Sequence, residues 1–308
     1  MAKKKLKIGW IGAGRMGFEM ALRLAKSGCD LTVYNRTRAK AEPLARCGAA
    51  IADKASELAG CDVVFCMVST HADAREVVAG KQGLLSTKRA PRILVECSSI
   101  SLEGSAELRA LLAARGCALL AAPVSGNAKV VKAGKLSFVC SGPKPVFDEV
   151  SPLLALIAPA ASYVGEGELA RIVKICHNVF LGVVIQSLCE ITVLAQKAGV
   201  PRHAFLEFIN QSVMGSAFSR YKTPALVNLD FKVTFTPQLL RKDLDLGLSA
   251  GRRFEVPLPL ASVTRDLVQS LIGAGLAEQD FAALLVQQAR ASGVALEPEN
   301  VAVGDGLA

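Results

Sequence analysis

Four short polar clusters punctuate an otherwise apolar chain: Gly12-Ala13-Gly14-Arg15-Met16-Gly17, Asn35-Arg36-Thr37-Arg38, Pro123-Val124-Ser125-Gly126-Asn127, and Lys174 with Asn178. The first has the G-x-G-x-x-G spacing of a loop whose glycines bring backbone up to a pyrophosphate at a helix N-terminus. The second offers a guanidinium and a hydroxyl where an acid would otherwise meet an adenosine ribose. A guanidinium fork binds a 2′-phosphate that an acid would repel. The third sets a hydroxyl and successive small-residue amides after an extended segment, a nest for a carboxylate. The fourth places an amide one helical turn beyond an amine, a proton donor with its support. In this order the clusters predict a nicotinamide-dependent dehydrogenase of a small, anionic carbonyl or hydroxy acid. The arginine predicts NADP(H) ahead of NAD(H).

Within the loop, Gly12 permits the tight turn, Gly14 admits the phosphates and Gly17 lets helix and strand pack closely, with Ala13, Arg15 and Met16 completing the cofactor cradle. Asn35, Arg36 and Thr37 would hold the adenosine end. Val68 with Ser69, and Ser98 with Ser99, lie at or just past two strand ends, where ligands meet the carboxyl edge of an open sheet. Ser101, ahead of a helical start, reads as an N-cap. Arg171, Lys174, His177 and Asn178 share one face of a long helical stretch. A lysine on an apolar helix is commonly a snorkelling surface residue, but the amide one turn on favours a catalytic role. His177 reads as a structural hydrogen-bonding residue, and Arg171 as a cation that would lower the Lys174 pKa.

The elements that must carry these residues alternate. Leu6 to Ile11, Leu31 to Tyr34, Val63 to Val68 and Ile93 to Val95 are short apolar runs, as in strands buried on both faces, with helical spacing between them; Met16 to Ser27 is one such helix, stopped by Gly28. Alternating strand and helix predicts an α/β fold with a Rossmann-type, doubly wound parallel sheet. After about Gly165 strand-like runs largely stop. Leu169 to Lys197 reads as a long helix, apolar nearly all round and so expected to be buried, joining the sheet to an all-α C-terminal domain punctuated by Pro201, Pro224, Pro237, Pro257 and Pro259. The expected organisation is a dinucleotide-binding domain over 1–166, a helical substrate and dimerisation domain over 167–295, and a frayed tail over 296–308.

A chain of 308 residues suits two domains. The net charge of +9 comes from scattered Lys and Arg without aromatic-rich or arginine-rich segments, which argues for an anionic cofactor and substrate and against nucleic acid. Nine cysteines without Cys-x-x-Cys spacing read as buried, reduced thiols of a cytoplasmic protein. Three histidines, none at ligand spacing, give a zinc site no support. Met1-Ala2-Lys3-Lys4-Lys5 reads as a solvated lead-in to the first strand, and no uncharged apolar run long enough to span a bilayer is seen, the nearest lying around Pro152 to Val164.

The ordered clusters resemble the β-hydroxyacid dehydrogenase family, which includes 3-hydroxyisobutyrate dehydrogenases, tartronate semialdehyde reductases and glyoxylate/succinic semialdehyde reductases. The resemblance runs from Gly12 through Ser98-Ser99 in the family's D-x-S-T position, Pro123 to Gly126, Lys174 and Asn178, to Lys242-Asp243-Leu244-Asp245-Leu246, which is similar to its late K-D-L-x-L motif. It implies a catalytic Lys174 supported by Asn178, a substrate carboxylate gripped by Ser125 and Gly126 with Asn127 and Ser99 alongside, and Lys242 near cofactor and substrate. Phe235 and Asp243 match further positions of some members. Asn127 replaces a second glycine, and Glu168-Leu169-Ala170 replaces the glycine-rich turn before the lysine, a departure that would move the register toward Arg171. The Lys-to-Asn spacing favours Lys174. The family implies a homodimer or homotetramer. The alternatives are an imine reductase on the same fold, whose members usually carry an acid or tyrosine at the Lys174 position, and a non-catalytic NADPH-binding protein.

Overall fold

The computed structural model describes residues 6–307; the expected lead-in at Met1 to Lys5 lies outside them. The chain divides into two compact units, Met1–Lys174 and Ile175–Ala308, so the division falls inside the long helix rather than ahead of it at 166/167.

In the first unit β1 (Lys7–Ile11), β2 (Asp30–Tyr34), β3 (Ala50–Ala52), β4 (Val63–Cys66), β5 (Ile93–Glu96) and β6 (Ala118–Ala121) form a parallel sheet in the order β3-β2-β1-β4-β5-β6. This doubly wound order reverses direction between β1 and β4 and opens a crevice at their carboxyl ends. Alternate residues face opposite cores. Ile8, Trp10, Phe65 and Val95 enter one, and Ile11, Val64, Cys66 and Leu94 the other, which is why the strands read as continuous apolar runs. Trp10 and Phe65 stack at 5.4 Å between centroids. The sheet is flanked by α1 (Arg15–Lys26), α2 (His71–Ala79) and α3 (Leu102–Ala113). Gly28 ends α1 as expected, with φ 74° and its N–H returned to the Ala25 carbonyl. Ser101 Oγ caps α3, accepting the Gly104 N–H at 3.0 Å.

A second sheet was not legible in the sequence. β7 (Val124–Ser125) pairs antiparallel with β8 (Ser137–Cys140), which pairs parallel with β9 (Ala160–Tyr163), and α4 (Ala128–Lys132) and α5 (Lys144–Ile157) fill the connections. A two-residue strand and the Ala-Ala-Ser-Tyr of β9 carry no periodic signal.

Helix α6 (Leu169–Lys197) has the expected limits, and among the described residues it is the helix long and apolar enough to cross a membrane by length and composition. It is not an uncharged run, because Arg171, Lys174, Glu190 and Lys197 interrupt it. Its apolar surface is not buried all round: Leu169, Val173, Phe180, Ile191 and Leu194 form an exposed stripe, while Arg171, Gln186 and Thr192 are buried. Cys176 lies on this exposed side, unlike Cys66, Cys97 and Cys189, whose thiols burial pushes well up from their ordinary range.

The second unit packs the rest of α6 with α7 (Arg202–Gln211), α8 (Ala217–Asn228), α9 (Pro237–Arg253), α10 (Pro259–Gly273) and α11 (Leu284–Ala291). Pro237 and Pro259 start helices, where a missing N–H costs nothing, but Pro224 sits inside α8 rather than at a boundary. The C-terminal stretch expected to fray is anchored as far as Val303. Val294, Leu296, Val301 and Val303 pack on the core, and the Glu299 carboxylate accepts the first-turn N–H groups of α7 from Arg202 at 2.7 Å and His203 at 2.9 Å. A helix without its own side-chain cap thus takes one from nearly 100 residues away.

Helices α6 and α9 cross at close range in this unit. A Cβ on Gly247 would lie 2.1 Å from Val179 Cγ2, a stiff β-branched neighbour. In an exposed helix Gly to Ala is stabilising by about 1 kcal/mol. Here overpacking reverses the sign, and Gly247→Ala is expected to destabilise the protein by about 1–3 kcal/mol. Thermal denaturation reads this directly, and an unchanged or raised Tm would contradict the packing.

Candidate active site

At the carboxyl ends of β1, β2 and β4 lies a cavity of about 200 Å³, lined by Gly12, Gly14, Asn35, Arg36, Thr37, Val68 and Ser69, seven of the residues expected to meet a cofactor. Gly12 is obligatory on two counts: its φ is 97°, and a Cβ would lie 2.1 Å from the Met67 carbonyl oxygen. A Cβ on Gly17 would lie 2.0 Å from the Gly12 oxygen, whereas one on Gly14 would meet nothing within 4 Å and would project into open space. Gly14 is also the N-cap of α1, which has no side-chain cap, so the first-turn amides keep their capacity for an anion. Ala13, Arg15, Met16 and Gly17 do not line the cavity. Ala13 and Gly17 are buried, Met16 is half-buried against the core, and Arg15 is solvent-exposed.

Asn35 braces two loops. Its Oδ1 accepts the Ala13 N–H at 2.8 Å and its Nδ2 donates to the Thr37 carbonyl at 2.8 Å. Arg38 turns away to Asp53 and Glu42, which leaves Arg36 at the cavity, where its Nη1 lies 3.0 Å from Asp73 Oδ1. Lys40, Asp73, Glu76 and Val77 also line it and were missed. Their one sequence signal was Thr70-x-x-Asp73, a capping pattern: Thr70 Oγ1 accepts the Asp73 N–H at 3.1 Å.

Ser98 lies beneath the cavity rather than in its wall. It is fully buried, its Oγ accepts the Val68 N–H at 2.9 Å, and its N–H donates to Glu96 Oε1 at 2.9 Å. Ser99 is half-buried beside it. The same strand end receives Arg171, whose guanidinium donates to the Glu96 carboxylate, to the Glu96 carbonyl at 3.1 Å and to the Ser98 carbonyl at 2.5 Å, while Nε donates to Ser105 Oγ at 3.1 Å. With Arg171 and Glu96 only 1% and 0% exposed, this pair is spent on structure. Arg171 is therefore not an uncompensated cation beside Lys174.

In the expected carboxylate nest, Gly126 has φ 135°, and the Asn127 side chain caps α4, its Oδ1 accepting the Val130 N–H at 3.1 Å. That oxygen is committed to the helix, and Ser125 is the half-buried hydroxyl of the segment.

Lys174 is half-buried one turn before Asn178 on α6. In the second unit Asn178 is held from both ends: its Nδ2 donates to Asp243 Oδ2 at 2.5 Å, and its Oδ1 accepts from His177 Nδ1 at 2.9 Å. This is the hydrogen bond expected of His177, and it requires the Nδ1–H tautomer. Lys242 Nζ stands 3.4 Å from Asp243 Oδ1. Phe235 is fixed by Asp280, which is buried with Lys222 and accepts the Thr234 and Phe235 N–H groups at 2.8 and 3.2 Å. Burial would raise the Asp280 carboxyl, but the Lys222 ammonium and the surrounding donors hold it below its ordinary value.

Residues 7–165 match the family profile described as the NAD binding domain of 6-phosphogluconate dehydrogenase, and residues 168–287 match the NAD-binding domain of NADP-dependent 3-hydroxyisobutyrate dehydrogenase. The chain belongs to the β-hydroxyacid dehydrogenase family. This β-hydroxyacid dehydrogenase is similar to glyoxylate/succinic semialdehyde reductase 2 of Arabidopsis thaliana, with 29% identity covering 91% of this chain and 78% of that one. It is also similar to 2-(hydroxymethyl)glutarate dehydrogenase of Eubacterium barkeri, with 29% identity covering 96% and 98% of the two chains. Among solved structures, a 3-hydroxyisobutyrate dehydrogenase of Mycobacterium tuberculosis bound to L-serine superposes with a TM-score of 0.81 at 26% identity, covering 92% of this chain and 99% of that one. The glycine loop, the uncapped helix terminus and the cavity beside Arg36 fit the nicotinamide dinucleotide, NAD(P), that the family binds.

Removing Arg171 would strand the Glu96 carboxylate in the interior, and breaking such a pair costs about 3–5 kcal/mol. Arg171→Met is expected to lose stability on that scale, measured by denaturant unfolding. A loss under about 1 kcal/mol, the range of exposed pairs, would show that the pair is not buried.

Proposed function

We propose that this β-hydroxyacid dehydrogenase works as a reductase, passing a hydride from NADPH to the carbonyl carbon of a small semialdehyde or 2-oxo acid, with Lys174 as the general acid. The bound nicotinamide supplies the hydride in this direction and accepts it in the reverse. Lys174 Nζ donates the proton to the nascent alkoxide, a task suited to an amine whose ordinary pKa is about 10.4. Asn178 supports it from the next turn. We assign Ser125 and the amides around Gly126 to the substrate carboxylate, and Ser99, Lys242 and Phe235 to further contacts with substrate or cofactor. Arg36 and Thr37 take the 2′-phosphate.

The observation that carries this reading is the restraint on Asn178. Its amide is fixed at both ends by Asp243 and His177, one helical turn from Lys174. A surface lysine on an apolar helix has no use for so firmly oriented a neighbour, whereas a proton donor that must meet one oxygen does.

Oxidation of NADPH and NADH against a panel of small semialdehydes, 2-oxo acids and cyclic imines tests the proposal, with Lys174→Ala alongside. The expected result is NADPH-linked turnover of one class, lowered in kcat by about 10²–10⁴ in the variant. Turnover that survives the substitution would remove Lys174 from the mechanism, and turnover of cyclic imines alone would move the reading to an imine reductase.

We further propose a cytoplasmic homodimer or homotetramer with the exposed apolar stripe of α6 at the contact. Such a stripe on a monomer is a liability, and burying it removes its apolar area from water. Phe180, 68% exposed at the middle of the stripe, is the point to test. Phe180→Glu is expected to shift the protein to a monomer in light scattering, and an unchanged mass would place the contact elsewhere.

A further inference from the structure

We infer that Asp73 is a specificity-determining residue that holds Arg36 back from a cofactor 2′-phosphate, so that the enzyme keeps both NADP(H) and NAD(H) in use. The inference rests on the reading of Arg36 as the 2′-phosphate ligand. Arg36 leaves the carboxyl end of β2 and Asp73 rises from the first turn of α2, and the two meet at 3.0 Å on the wall of the cavity floored by Gly12 and Gly14. The two partners are unequally held. The Arg36 side chain is 84% exposed, whereas that of Asp73 is 26% exposed. The second carboxylate oxygen of Asp73 also accepts the Thr70 hydroxyl at 2.7 Å, and the α2 terminus is capped by the same threonine. The carboxylate is the anchored member and the guanidinium the exposed one.

A phosphate reaching Arg36 must therefore share the guanidinium with an anchored anion or displace it. Five N–H donors make sharing feasible, but a phosphate monoester carries about −1.5 to −2 at pH 7 and stands against a fixed negative charge. Nor does the rest of the cavity offset the repulsion. Its charged lining residues are Arg36 and Lys40 against Asp73 and Glu76, which sum to zero. Preference for the phosphorylated cofactor rests on the geometry of Arg36 and is diminished by Asp73. Like charges a few ångströms apart in water repel by about one factor of ten in affinity, and this is the size of the expected effect at low ionic strength.

The test uses the full chain and two adenosine probes, 2′,5′-ADP and 5′-AMP, titrated calorimetrically in low and high salt. Asp73→Asn keeps the shape and the bond from Thr70 while removing the charge. It is expected to tighten 2′,5′-ADP about tenfold at low ionic strength and less in high salt. Binding of 5′-AMP should stay within about twofold, and the NADPH-to-NADH ratio of kcat/KM should rise in parallel. Asp53→Asn, which removes an equal charge paired with Arg38 outside the cavity, should leave both probes unchanged. Adding Arg36→Ala should abolish the gain. If Asp73→Asn leaves 2′,5′-ADP unchanged or weaker while Arg36→Ala still weakens it, Asp73 does not restrain the arginine and the inference fails alone. Indifference of 2′,5′-ADP to Arg36→Ala would overturn the reading of Arg36 and the inference with it.

Discussion

A guanidinium taken almost completely out of water needs a carboxylate for its charge and carbonyls for its remaining donors, and Arg171 finds all of them at the carboxyl end of β5. Much of the first unit depends on that requirement being met. The pair fixes the first turns of α6 against the strand end that carries Ser98 and Ser99, and Ser98 in turn holds the Val68 N–H at the end of β4. The loop after β4 is the surface against which Gly12 makes its closest approach. One buried ion pair thus sets the start of the helix bearing Lys174 and, through a serine and two backbone groups, one wall of the dinucleotide cavity.

Polar side chains divide between bracing and chemistry. Asn35, Ser98 and Asn127 were expected to touch ligands, and each has its side chain engaged by backbone: Asn35 ties two loops together, Ser98 supports a third, and Asn127 caps a short helix. Asn, Asp and Ser are the residues best able to satisfy orphan amides at strand ends and helix starts. Those are also the places where an open α/β sheet binds its ligands, so the same residue types at the same positions serve either purpose. Arg36, Lys174 and Lys242 differ because long cationic side chains contribute little to local backbone capping; Arg36 lies at the cavity wall, and the roles of the two lysines are the ones proposed above.

The second unit shows how much stability comes from partners remote in sequence. Asp280 organises the loop bearing Phe235 across some 45 residues, and Glu299 caps α7 across nearly 100. Both carboxylates replace what a local capping residue would do, and neither segment shows a local motif for it. The expected fraying gives way up to Val303 for this reason: a stretch without helical or strand periodicity is anchored by groups that only the fold brings to it.

The sequence by itself determined the class of the protein. Apolar strand runs joined by helical periodicity require a parallel sheet covered on both faces, a G-x-G-x-x-G between strand and helix has few structural alternatives, and the Lys174 to Asn178 spacing places both on one helix face. These signals were legible because each depends on residues within a turn or a strand of one another. Tertiary structure alone decided that Arg171 is spent in a buried ion pair, that the side chains of Asn35, Ser98 and Asn127 hold backbone groups, that Asp73 faces Arg36, and that α6 keeps an exposed apolar stripe. Those outcomes depend on which distant group lies within about 3 Å, and a hydrogen bond or ion pair over that distance carries no periodicity along the chain.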